Sequence, residues 1–503
     1  MYVINPIFVC VFDKHLTLST IKRFLRDTII YGIAAVLPRA INILLVKLHT
    51  GTLASERYAE NTIYFVFVAY FNAILTYGME TAFFRFFTKE KEQGRVISTS
   101  FISLLLTTLL FLLVMFIFSG NIAPYLGFSD PMYLKILLLV TTLDTLVVIP
   151  YAYLRVNNKP LRFAFYKIFN VLVFALFNLY FLLYVPYALQ NGAFVPGFLA
   201  ENFSDYPLVL YIFVANLIAS GVTFALLIPL VLRFKTSFDL KMLHHMLLYG
   251  LPIMVSSIAF VTNENLDKLL LNKLLGKEAM GVYAACYKLG VFMTLYIMAF
   301  KLGAEPFFFN QANEKNARQT YARILSWFTV FGCLLMLLIV GFIDPFAGIL
   351  LGKPEYYGAL MIVPVILLAN LFLGIYYNLS VWFKLTDKTR YGMYFSLLGA
   401  LITIVLNLLL IPRIGFMASA WATLLAYASM AGISYYFGRK YYRVPYRTVY
   451  MLLLIGLTAV LSYLSFNFFR GQYLVSVLLL LTLAAFVLWN QKSEIKQLWK
   501  VSS

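Results

Sequence analysis

The sequence predicts an all-α polytopic membrane protein of about fourteen transmembrane helices. Three observations predict it: an apolar composition, apolar runs of about twenty residues from end to end, and a one-sided placement of cations. Of 503 residues 62% are hydrophobic and 12% charged, against roughly 45–50% and about 25% in an ordinary soluble domain. The polar breaks between runs are short, so no separate soluble domain fits between them.

Crossing the hydrocarbon core takes about 20 mostly apolar residues in a helix. Such windows fall at 28–48, 60–80, 98–118, 132–153, 163–185 and 208–231 in the first half. In the second half they fall at 247–263, 280–302, 324–343, 358–380, 394–411 and 415–437, with two more at 449–469 and 473–490. With the N-terminus in the cytoplasm, 29 of the 40 Lys and Arg occupy inside segments and 9 occupy outside ones, leaving Arg39 and Lys288 within spans. The excess of Lys and Arg in cytoplasmic loops then puts both termini inside. Most of the +19 net charge is therefore topological, which removes the motive for a nucleic-acid partner. Residues 1–27 contain an apolar stretch, Met1 to Phe12, too short to span and lacking a small-residue cleavage site. This segment is expected to be a cytoplasmic lead-in at the membrane surface rather than a cleaved signal peptide.

Sliding the chain against itself reveals a repeat. At a separation of 225 residues Gly51 falls on Gly276, Tyr58 on Tyr283, Glu80 on Glu305 and Phe83-Phe84 on Phe308-Phe309; upstream, Tyr31-Gly32 falls on Tyr249-Gly250 at 218. Two copies of a six-helix unit follow, and because six is even they share one orientation, related by a pseudo-twofold along the membrane normal. The expected organisation is a lead-in over 1–27, an N-lobe over 28–235, a C-lobe over 236–440, two extra helices over 441–490 and a cytoplasmic tail over 491–503.

An ionisable side chain within a span costs at least about 2.5–3.5 kcal/mol on insertion scales, so each one needs an explanation. Arg39 follows Pro38 in the first span, and Gly32, Ala35 and Asn42 share its helical face. That small, polar stripe suits a cavity wall where the arginine grips an anion, or an interface where it pairs with a carboxylate. Lys288, beside Gly281, Ala284 and Ala285, either lines the same space or snorkels to the interface. Asp144 in the fourth span and Glu264 in the seventh are candidate ion-coupling groups, although Asp144 could equally pair with Arg39 or bond Thr141, and Glu264 could simply pair with Lys268 at i,i+4. Glu80 and Glu305 sit at matching span ends and could form a cytoplasmic gate or anchor the interface. Asn42, Asn72, Asn170 and Asn178 occupy spans, where amides commonly bond one helix to another.

Absences narrow the function. Three scattered cysteines and four histidines show no ligand spacing, so neither a metal nor another cofactor is expected. Gly276-Lys277 is followed by Glu278 and Gly352-Lys353 by Pro354, so there is no phosphate-binding loop for ATP. No two aspartates stand two apart, and the outer loop over 186–207 lacks Lys, Arg and His. These features argue against an enzyme.

The stretches YGLP at 249–252, LDKLLLNKLLG at 266–276 and MGVYAACYK at 280–288 resemble the opening of the second half of the polysaccharide flippases, within the multidrug, oligosaccharidyl-lipid and polysaccharide exporter superfamily. RFLRDTIIYG at 23–32 and ETAFFRFF at 80–87 are similar to that family's first two spans. The resemblance implies two helical lobes around a cavity that opens alternately to either side of a bacterial inner membrane. It implies a substrate, an oligosaccharide linked to undecaprenyl diphosphate, flipped to the outer leaflet for surface polysaccharide such as the O-antigen of lipopolysaccharide. Membrane lipids, a glycan polymerase and glycosyltransferases are the implied partners of a monomer. Arg39, with Asn42 and Lys288, would bind substrate, Arg39 answering to an arginine that lipid II flippases keep in the first span. The alternative within the superfamily is a multidrug or small-solute cation-coupled antiporter, which favours anionic cavity residues.

Overall fold

Fourteen long helices carry the fold of the computed structural model, which describes residues 18–502 apart from Lys91, Lys235, Thr236, Asn313, Lys315 and Asp387. Side chains are described within that range except for 18–29, Tyr31, Ala35, Leu302, Glu305, Pro306, Phe309, Asn310 and 493–502. In chain order the helices are α1 (Leu18–Thr52), α2 (Ser55–Lys89), α3 (Gln93–Ile117), α4 (Pro131–Val156), α5 (Pro160–Asn191), α6 (Leu208–Val231), α7 (Leu240–Leu275) and α8 (Lys277–Lys301). There follow α9 (Ala317–Gly341), α10 (Pro354–Leu385), α11 (Arg390–Ile414), α12 (Met417–Tyr441), α13 (Thr448–Phe468) and α14 (Tyr473–Lys492). No strand occurs among the described residues.

Thirteen of these are long and apolar enough to cross a membrane. The exception is α12, the span expected over 415–437. It has the length, 25 residues, but its alanines, serines and tyrosines leave it less apolar, and it is largely buried between α10 and α11. A helix shielded from lipid by its neighbours needs no continuous apolar surface. Of the expected lead-in, residues 1–17 lie outside the described residues, while α1 begins at Leu18, ahead of the window drawn at residue 28.

The packing repeats as the sequence does. In the N-lobe α1 packs on α5, α5 on α6, α2 and α3 on α4, and α4 on α6. In the C-lobe α7 packs on α11, α11 on α12, α8 and α9 on α10, and α10 on α12. Adding six to each helix number in the first set gives the second. The extra pair, α13 and α14, lies against α9 on the outside of the C-lobe.

At the end that the cation distribution assigns to the outside, the lobes are sealed together. Glu60 of α2, itself buried, takes Lys277 of α8 at 2.6 Å and Arg57 at 2.9 Å. The turn after α1 is clasped by the segment before α10: the Gly352 amide donates to Thr50 Oγ1 at 2.8 Å, and the Tyr356 hydroxyl donates to the Leu53 carbonyl at 3.1 Å. Here the glycines matter for close approach, since a Cβ on Gly281 would collide with the Ser55 carbonyl and one on Gly352 with the Gly51 backbone. Small residues let helix backbones meet where apolar burial gives no driving force.

Candidate functional site

Five helices enclose a cavity of about 410 Å³ between the lobes: α1, α2, α5 and α6 from the N-lobe and α8 from the C-lobe. From α1 come Pro38, Asn42, Val46 and His49, a stripe at helical spacing; Arg39, one heptad before Val46, borders that stripe and is not among the residues lining the cavity. Arg39 is exposed, and among the described residues it makes no ion pair or side-chain hydrogen bond. His49, buried, meets the Asn178 amide oxygen at 2.8 Å, which ties α1 to α5.

Lys288 reaches the same cavity from α8. It opens a 3₁₀ turn, Lys288–Gly290, inside the helix. Such mid-helix turns mark hinges or strain; the Gly290 carbonyl is met by the Asn370 amide at 3.3 Å. No described carboxylate pairs with Lys288.

A second cavity, of about 600 Å³, lies wholly within the N-lobe. It is built from polar stripes at i,i+3, i,i+4 and i,i+7 spacing on adjacent helices: Asn72, Thr76 and Glu80 on α2; Asp144, Tyr151 and Arg155 on α4; Lys167 and Asn170 on α5; Ser220 and Thr223 on α6. Asp144 accepts a hydrogen bond from Ser220 at 2.8 Å. Glu80 and Arg155 close its mouth as an ion pair at 2.7 Å. The α2 backbone breaks just before Glu80, where Tyr77 (φ 31°) and Gly78 (φ 73°) are left-handed. The break lets Gly78 meet Gly250 of α7 without room for a side chain. Glu305, the repeat partner of Glu80, has a side chain outside the described residues.

Lys167 and Asn170 line both cavities and so form the partition between them. The Lys167 ammonium sits over the Tyr151 ring at 4.5 Å, with no carboxylate in salt-bridge reach. Sequence reasoning counted this lysine as an inside topological charge, because it lies near the start of its span. The signal that could have found it is its own helical face, where Asn170 follows at i+3 and Asn178 at i+11.

Glu264 is elsewhere, in a buried C-lobe cluster. It accepts from the Tyr427 hydroxyl, while Asp267 accepts from Tyr283 at 2.6 Å and from Lys268 at 3.0 Å. The i,i+4 side-chain pair expected of Glu264 and Lys268 does not form. Lys268 instead donates to the Glu264 backbone carbonyl at 2.6 Å and stacks on Tyr287 at 4.0 Å. Lys268, counted among the outside cations, is buried. A lysine there is tolerated because Asp267 and a carbonyl meet its ammonium.

The family model described as polysaccharide biosynthesis protein matches residues 24–308, more than half the chain. The chain belongs to this family. A second model, MatE, matches residues 252–409, and no curated protein matches by sequence. Among solved structures the chain is similar to the lipid II flippase MurJ in an inward closed conformation, at a TM-score of 0.72 and 16% identity, covering 93% of this chain and 100% of that one. It is also similar to a multidrug resistance transporter of the MATE family in an inward-facing conformation, at 0.63 and 12%, covering 80% and 94%. A transporter of the same superfamily from Pyrococcus furiosus, described as having a binding pocket of reverse polarity, is similar at 0.61 and 13%, covering 83% and 95%. These likenesses establish the two-lobe transporter fold. This member of the polysaccharide biosynthesis protein family is thus a multi-pass membrane protein with the two-lobe transporter fold, its lobes sealed together at the Glu60–Lys277 end.

Proposed function

We propose that this protein flips an undecaprenyl-diphosphate-linked oligosaccharide from the cytoplasmic to the outer leaflet of a bacterial inner membrane, by alternating access and without chemical change to the substrate. The observation that carries the reading is Lys288 lining the inter-lobe cavity with no carboxylate in salt-bridge reach among the described residues, together with Lys167 on the same lining. Cations in a low-dielectric site need a counter-charge, and a diphosphate supplies one. Arg39 takes two phosphate oxygens in the fork that only a guanidinium offers, Lys288 faces it from the other lobe, and Asn42 bonds the linkage. Glu80, through Arg155, and Glu305 form the cytoplasmic gate. Asp144 and Glu264 are the ion-coupling carboxylates, one in each lobe. The protein acts as a monomer, receiving substrate from glycosyltransferases and delivering it to a polymerase that builds surface glycan such as O-antigen.

The test is surface glycan in cells lacking the native gene. Arg39→Ala abolishes export at normal membrane protein levels, and Arg39→Lys restores part of it; full export by Arg39→Ala would leave the arginine an assembly contact. A second reading, a cation-coupled multidrug antiporter, is favoured by Asp144 and Glu80 in the N-lobe cavity. On that reading Asp144→Asn raises drug sensitivity and leaves glycan export intact.

A further inference from the structure

The two cavities share a wall but differ in charge. Among the residues lining the inter-lobe cavity, Lys167 and Lys288 are cationic and no carboxylate is present. The N-lobe cavity balances Asp144 and Glu80 against Arg155 and Lys167, and Glu80 and Arg155 neutralise each other at its mouth. A phosphate suits the first lining. A diphosphate gains little from the second, where two carboxylates offset the two cations.

What the N-lobe cavity offers instead is hydrogen bonding from Asn72, Thr76, Asn170, Ser220 and Thr223. An amide presents two donors and an acceptor, and a hydroxyl one donor and two acceptors, which is the complement of adjacent hydroxyls on a sugar ring. At about 600 Å³ the space falls within the roughly 300–1,000 Å³ of small-molecule sites.

We propose that the N-lobe cavity is a sugar subsite, holding an uncharged, hydroxyl-rich residue of the carried glycan while the diphosphate sits beside Lys288. The inference rests on the flippase reading and adds a division of the substrate between two compartments. Their adjacency fits the chemistry, since the first sugar is bonded directly to the phosphate, and Lys167 and Asn170 stand where the two meet.

The test is binding by the full-length protein in lipid nanodiscs, with two probes: a polyprenyl diphosphate without sugar and the same carrier bearing one neutral hexose. The wild type binds the hexose form more tightly. Asn72→Ala and Ser220→Ala each lower affinity for the hexose form about 3- to 10-fold and leave the bare carrier unchanged, which also shows that each variant is folded. Lys288→Ala weakens both probes. Equal affinity of the wild type for both probes overturns the sugar subsite and leaves the flippase standing, as does a parallel loss for both in the asparagine and serine variants. Failure of the wild type to bind either carrier overturns the flippase reading and the subsite with it.

Discussion

A lysine facing a cavity through an interrupted helix turn is a different object from one at a span's flank, although a single sequence writes them alike. Asn42, Lys288 and Asp144 stand out in the sequence as a charge or amide deep in an apolar window, and each lines a cavity, whereas Arg39, which stands out equally, lines neither. Lys167 was not legible, because cations near the cytoplasmic ends of spans are expected for topology alone. The burial of Lys268 was not legible either: Tyr287, on which it stacks, and Tyr283, which bonds its partner Asp267, reach it only when α7 and α8 pack. The glycines give a sharp test at this scale. Gly281→Ala forces a Cβ against the Ser55 backbone, which cannot move aside as a side chain would. Overpacking of this kind costs about 1–3 kcal/mol. The expected outcome is a lower melting temperature together with more outside labelling of a cysteine placed at Asn61. Gly303→Ala, with nothing within 4 Å, changes neither.

Elements were more legible than residues, since apolar runs report helices whatever their partners. The exception is informative: α12, drawn as a window over 415–437, falls below its neighbours in apolarity because α10 and α11 cover it, and the repeat, which requires six helices in each half, supports it as a span. Helix breaks were invisible, because neither Tyr77-Gly78 in α2 nor the Lys288–Gly290 turn in α8 interrupts an apolar window. Topology remains to be measured element by element. Single cysteines in a cysteine-free background at Asn191, at the end of α5, and at Glu90, just after α2, label from outside and inside respectively. The reverse pattern would invert the assignment of every loop. Replacing Gly290 with alanine drives a Cβ into Ile366 and the Asn370 amide. If the turn is a hinge, export falls while protein levels hold.

For the whole molecule, the repeated packing of α1–α6 in α7–α12 was foreseen from a few matched residues, whereas the seal at the outer end was not. It depends on Glu60, Lys277, Gly352 and Tyr356, which lie far apart in the chain and look like ordinary loop residues. Alternating access requires this seal to part. Cysteines replacing Glu60 and Lys277, bridged by a short cleavable thiol reagent, should arrest export, and cleaving the bridge should restore it; export through an intact bridge would mean that the lobes never separate there. The central claim is tested most directly by reconstituting the purified protein in liposomes with a fluorescent undecaprenyl-diphosphate-linked oligosaccharide in the inner leaflet. The account predicts its appearance in the outer leaflet with wild-type protein and a loss of at least about tenfold in rate with Lys288→Ala, whereas transport of a cationic dye without movement of the lipid-linked glycan would contradict it.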